Sequence, residues 1–235
     1  MKMSINQYFD KIYCINLKSR PDRWAESLAE FERHNIKNVQ RIEGVQINPS
    51  EIIRYGNMGV RPDSQNSQSR ICGRIGCLLS HLKIIKIAKQ HQLSNVLILE
   101  DDIQFASNFQ QLFESVISEI PNPWALLYFG GNEKGIQEQI SERIRKIDYM
   151  LMAHAVGIHQ SMFDILIETI SYCQLPVDVY YAQFQNKFPC YTVFPYLAWQ
   201  RASFSDIEQR FRIYDFMNKS DFLVQLLKGR VKDEI

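Results

Sequence analysis

Residues 95–105 read NVLILEDDIQF: four apolar residues, Val96 to Leu99, run without alternation into Glu100, Asp101 and Asp102. A run that does not alternate predicts a strand covered on both faces, as in a central parallel strand. Three adjacent anions repel one another, and burial raises the cost of keeping them ionised. A compensating charge is therefore expected where this strand ends.

Upstream, KIYCINL (11–17) is a short β-prone run that stops at the basic turn KSRPDR. Pro21 is placed to open a helix, which the pattern carries from about Asp22 to His34 with Trp24, Leu28 and Phe31 buried. Val39 to Ile42 reads as a second strand, completing a βαβ unit. The stretch 56–70, GNMGVRPDSQNSQSR, is poor in apolar residues and predicts a mobile loop that closes as a lid over a ligand. A helix over 74–91 follows, with Ile75, Leu78, Leu79, Leu82 and Ile85 on one face.

Downstream, Phe109 to Ile120 reads as an amphipathic helix and Trp124 to Phe129 as a strand ending in Gly130-Gly131. DYMLMAHAVGIH (148–159) reads as one strand leading to a helix over 160–172. CYTVFPYLAWQ (190–200) is a strand region interrupted by Pro195. The reading is a single α/β domain over 1–210 with a C-terminal helical tail over 211–235. That tail is expected to pack on the body, with a peripheral membrane contact as the alternative. There is no internal repeat.

The 235 residues, 46% of them hydrophobic, are enough for one large α/β domain. The net charge of +1 gives no global field for nucleic acid; the four arginines between Arg54 and Arg74 make only a small basic patch. The N-terminus lacks an apolar signal-like segment, and five cysteines (Cys14, Cys72, Cys77, Cys173, Cys190) lie mostly in apolar runs. Both features predict a cytoplasmic protein with reduced, buried thiols. Cys72 and Cys77 have the wrong spacing for a zinc knuckle, so zinc is not expected.

Ligands of open α/β sheets bind beyond the carboxyl ends of the strands. If the 12–17 and 95–99 strands share one parallel sheet, the acidic triplet and Arg20 and Arg23 line the same edge. Carboxylates beside guanidinium groups suit a divalent cation bridging a diphosphate. An ordinary solvated turn is the alternative for EDD, and an ordinary charged helix start for RPDR.

Taken together, INLKSRPDRW (15–24), GRIGCLLSHLKI (73–84), LILEDDIQF (97–105), LPVD (175–178) and FSDI (204–207) resemble glycosyltransferase family 25 in content and order. The resemblance implies a GT-A type α/β fold, a UDP-sugar donor, Mn²⁺ or Mg²⁺, and inversion at the anomeric carbon. It implies that Asp102 ligates the ion, with His154 a minor candidate, and that Glu100 and Asp101 face ribose or sugar hydroxyls. Asn16, Leu17, Arg20 and Arg23 would lie along the nucleotide, and His81 near the donor sugar or metal. An inverting reaction needs a base on the acceptor hydroxyl; Asp178 is the first candidate and Asp206 the second. Each has a plainer role available, as a helix cap or a tie for the C-terminal segment. His154 and His159, five apart in one strand, would lie on opposite faces. Arg74 stands where an acid is expected and Val156 where an aromatic is expected, so the sugar does not transfer with the resemblance. The expected acceptor is a glycan or a protein. The competing readings are a nucleotidyltransferase, against which KSRPDR offers no glycine-rich phosphate loop, and a non-catalytic glycan- or partner-binding protein.

Overall fold

The computed structural model describes residues 3–56, 67–135, 137–170 and 175–214. After a short helix, α1 (Ile5–Tyr8), the chain forms β1 (Lys11–Asn16), α2 (Pro21–Arg33), β2 (Val39–Glu43), α3 (Gln68–Gln90) and β3 (Asn95–Glu100). Then come β4 (Ile103–Phe105), α4 (Phe109–Val116), β5 (Leu126–Tyr128), β6 (Asn132–Glu133), β7 (Gln137–Gln139), β8 (Ile144–Ile147), β9 (Met150–Leu151) and β10 (Ala155–His159). The last elements are α5 (Phe163–Ile170), α6 (Val177–Gln185), β11 (Cys190–Val193), β12 (Ala198–Gln200), β13 (Ser203–Ser205) and β14 (Arg210–Arg212).

The expected α/β architecture is present as an eight-stranded mixed sheet in the order β2-β1-β3-β10-β5-β11-β8-β7. β1 runs parallel to both β2 and β3, whereas β10 is antiparallel to β3 and β5. β3 is covered on both faces. Val96 and Ile98 pack into a core with α3, α5 and α6, while Leu97 and Leu99 pack into a second core with Phe31, Phe109 and Phe113. The β1–β3 register sets Ile15 opposite Glu100, so the chain leaves both strands at the same edge, with Asn16 beside Asp101.

Several boundaries differ from the sequence reading for identifiable reasons. α3 starts at Gln68, with Ser67 as its N-cap, not at 74. Its polar first turn is held from outside, because Arg70 donates to the Glu208 carbonyl at 3.2 Å and Gly73 packs against Ile207. Residues 57–66, the centre of the expected lid, lie outside the described residues, as do 215–235 of the expected tail. The division placed after 210 falls inside the β13–β14 hairpin. Residues 148–159 are two strands, because Met152 has φ of 74° and breaks the extended run. On α2, Leu28 is 48% exposed, and the buried positions include Arg23, Ser27 and Glu30. That face meets the functional edge of the sheet, where polar groups have polar partners. Among the described residues, no helix is long and apolar enough to cross a membrane.

Candidate active site

The acidic triplet is fixed mainly through its backbone. Glu100 N–H donates to the His154 carbonyl at 3.0 Å, and Arg201 N–H donates to the Asp102 carbonyl at 2.7 Å. The Asp101 carbonyl accepts from Ser27 Oγ and from Arg201 Nη2, both at 2.9 Å. Glu30, buried on α2, accepts from Phe105 N–H at 2.7 Å and pins the strand that leaves the triplet.

With the backbone held, the three carboxylates spread around one corner. Asp101 meets Arg23 Nη1 at 3.0 Å and accepts from Asn16 Nδ2 at 2.6 Å. Asp102 meets Arg23 Nη2 at 2.8 Å. Arg23 is thus the compensating charge that the triplet demands, one guanidinium bridging two acids. Gln200 Nε2 lies 3.3 Å from Glu100 and 3.1–3.2 Å from both oxygens of Asp102. Two carboxylates therefore converge on one point, which the amide of Gln200 fills.

Burial pushes the Asp101 carboxyl up to about 6, against the pull of Arg23. Burial also raises Asp102, with Glu100 adding to the effect. Burial works against Glu100 too, yet His81 and His154 beside it hold its carboxyl below the ordinary range. His154 is fully buried, and burial lowers its pKa from the ordinary value, against the pull of Glu100 and Asp102. Its Nε2 faces the Ala198 carbonyl at 3.3 Å, leaving Nδ1 as a buried atom with no partner among the described residues. The Ala198 carbonyl reaches this ring because Gly130 has no side chain: a Cβ there would sit 1.8 Å from the Ala198 oxygen and 3.2 Å from His154 Nε2.

A cavity of about 340 Å³ opens over this corner. Leu17, Ser19 and Arg23 line it from the β1 side, and Gly73, Gly76, Cys77 and Ser80 from α3, facing the three acids and Asp206. A Cβ on Gly76 would lie 2.3 Å from the Val45 carbonyl oxygen, so glycine lets α3 touch the segment after β2. Ser80 completes that contact by accepting from Val45 N–H at 2.8 Å. A second cavity of about 400 Å³ adjoins the first, sharing Cys77, Glu100, Gln200, Ser205, Ile207 and Tyr214. Arg74, Met152, Asp178 and Arg212 belong to the second alone.

Of the residues singled out from sequence, Asn16, Leu17, Arg23, His81, Glu100, Asp101, Asp102, His154 and Asp206 collect at this edge. Arg20 sits one layer back, tied to Asp22 at 2.9 Å and Asp206 at 2.6 Å, and does not line the first cavity. Asp206 also reaches Arg23 at 3.4 Å. Asp178 is in the first turn of α6 and accepts from Met152 N–H at 3.3 Å. Val156 is a fully buried core residue of β10, whereas Arg74 is buried against the second cavity. His159 lies at the far end of β10, away from the corner. Gln200, Arg201, Glu30 and Tyr181 carry no motif and were not anticipated.

The family model described as "Glycosyltransferase family 25 (LPS biosynthesis protein)" matches residues 9–177. Mouse procollagen galactosyltransferase 2 is 26% identical over 196 residues, 77% of this chain and 31% of that protein. A Drosophila melanogaster glycosyltransferase 25 family member is 31% identical, covering 61% of this chain and 24% of its own length. The human inactive glycosyltransferase 25 family member 3 is 32% identical over 52% of this chain and 22% of its own. The chain thus spans about a third or less of these curated relatives. Among solved structures, A197 from STIV has a TM-score of 0.46 at 8% identity, covering 86% of this chain and 93% of that one. With the family model matched over most of its length, this chain belongs to glycosyltransferase family 25.

Proposed function

We propose that the chain transfers a sugar, galactose or glucose, from a UDP-sugar to a hydroxyl of a glycan or protein, with a divalent cation and inversion at the anomeric carbon. The observation that carries this reading is that two cavities, one faced by carboxylates and Arg23 and the other by Asp178, meet at Glu100 and Gln200. The first takes the nucleotide sugar and the second the acceptor.

The donor set suits a hard cation. Glu100 and Asp102 converge on the single point now met by Gln200 Nε2, and carboxylate oxygens are what Mn²⁺ or Mg²⁺ prefer. Glu100 and Asp102 would hold the ion. When bound, it supplies Lewis-acid compensation of charge on the departing diphosphate. The chain's own groups do the rest. Arg23 neutralises the acids that would otherwise repel a diphosphate, and the buried Asn16 amide holds Asp101 in place behind the cavity wall. Asp178 takes the proton of the acceptor hydroxyl. Asp206 is already engaged by two guanidinium groups, whereas Asp178 faces the cavity proposed for the acceptor. The relative named as inactive keeps a binding-only protein as the second reading.

UDP release from a panel of UDP-sugars, measured with Mn²⁺ and candidate acceptors, separates the two. Asp178→Asn should lower turnover by about 10²–10⁴ with UDP affinity retained. Turnover within a few-fold of the parent would exclude Asp178 as the base. Cation-independent or undetectable UDP binding would favour the binding-only protein.

A further inference from the structure

Cys77 and His81 stand one turn apart on α3, so both point from the same helix face toward the end of β3. There they meet Glu100: Cys77 Sγ lies 3.9 Å and His81 Nε2 3.7 Å from the same Oε1. The three ligand-capable atoms all fall within 4.8 Å of one another. His81 is fully buried, and its Nε2 has no hydrogen-bond partner among the described residues, although it faces this cluster. Its other nitrogen, Nδ1, is engaged by the buried Tyr181 hydroxyl at 3.0 Å. That is the arrangement of a metal-ligating histidine, in which a second group on one nitrogen orients the ring and frees the other.

We propose that Cys77, His81 and Oε1 of Glu100 form a binding site for a thiophilic divalent cation such as Zn²⁺, separate from the hard-ion position at Asp102, toward which Glu100 turns its other oxygen, Oε2. Ligand bonds of about 2.0–2.3 Å in tetrahedral geometry set neighbouring ligand atoms about 3.3–3.6 Å apart. The two edges to Glu100, 3.7 and 3.9 Å, are within a few tenths of an ångström of that spacing, and the Cys77–His81 edge, within 4.8 Å, closes by side-chain rotation on binding. Sulfur, imidazole and carboxylate together select zinc over the hard ions that prefer oxygen alone. Three protein ligands leave a fourth position, which opens where the two cavities join, because Cys77 and Glu100 line both. On binding, the Cys77 thiol passes its proton to solvent and the sulfur bonds to the metal. The ligands are not a zinc knuckle: two come from one helix turn and the third from a neighbouring strand.

The test uses the reduced full-length chain, freed of metal and titrated with Co²⁺ alone. The expected result is a thiolate-to-cobalt charge-transfer band whose amplitude saturates with one Co²⁺ at the Cys77 site and is lost when Zn²⁺ displaces it, whatever Co²⁺ the carboxylates at Asp102 also take up. Cys77→Ser should abolish the band with unfolding behaviour unchanged. Tyr181→Phe keeps all three ligands and should weaken Co²⁺ binding by about tenfold while retaining the band. No band in the parent, or a band that survives Cys77→Ser, overturns the proposal. Neither outcome depends on sugar transfer, so failure here and failure of the transferase reading are distinguishable.

Discussion

Asp101 offers a direct measure of what the acidic corner costs the fold. Its carboxyl is 6% exposed and titrates near 6 in place of its ordinary 3.8, with burial the main cause. A carboxyl that holds its proton more tightly folded than unfolded opposes folding once ionised. The opposition is absent at low pH, grows between 3.8 and about 6, and is complete above that. At about 1.4 kcal/mol for each tenfold change in proton affinity, the full effect is about 3 kcal/mol. Asp101→Asn removes the charge, and its side-chain oxygen can still accept from Asn16. Urea unfolding of parent and variant should therefore show a stability difference that moves in the variant's favour by about 2 kcal/mol between about pH 4 and about pH 7.5. A difference that stays constant to within about 0.5 kcal/mol over that range would refute the claim that Asp101 is ionised at a cost.

Arg23→Gln removes the bridge between Asp101 and Asp102, and stability near neutral pH should fall by about 3–5 kcal/mol. The loss should shrink in acid, where the stranded carboxyls protonate; equal loss at both pH values would show that packing, not charge, is responsible. Gly76→Ala gains about 1 kcal/mol of helix propensity but drives a Cβ to 2.3 Å from the Val45 oxygen. Net destabilisation of about 1–2 kcal/mol, seen as a Tm lowered by about 2–4 °C per kcal/mol, should accompany weaker UDP binding; an unchanged Tm would show that α3 shifts freely. Glu30 is buried, yet His34 and the Phe105 N–H keep its carboxyl below the ordinary range. It therefore contributes stability above its unfolded value, lost as pH falls through the folded one, and Glu30→Gln should flatten that acid-side loss in thermal scans.

The centre of the fold was legible because β3 is covered on both faces, and double coverage leaves an uninterrupted apolar run. The βαβ start was legible because Pro21 and the apolar spacing mark α2. What failed is where tertiary contacts overrule composition. The first turn of α3 is too polar to order itself, but Glu208 and Ile207, more than 130 residues away, hold it. α2 turns Leu28 outward because its inner face must present Arg23 and Glu30 to the acidic edge. Of the site, the triplet and its counter-charge Arg23 were readable, since adjacent anions demand a cation. Gln200, Arg201 and Tyr181 were not, because each is a solitary polar residue whose partner lies about a hundred positions off.

Pairing across such distances also distinguishes the surroundings of Asp206 and Asp178, which short motifs alone leave level. Asp206 is held by Arg20 and Arg23, whereas Asp178 faces the second cavity. Around that corner, Asp22, Glu100, Asp101, Asp102 and Asp206 set five carboxylates against Arg20 and Arg23, an excess of three negative charges when all are ionised. A nucleotide diphosphate brings further negative charge into the same low-dielectric cavity. Protonating Asp101 relieves only one of these charges. On the proposed donor-site reading, that excess of negative charge predicts markedly weaker UDP binding when Mn²⁺ is withheld, and equal affinity with and without the ion in calorimetry would refute it.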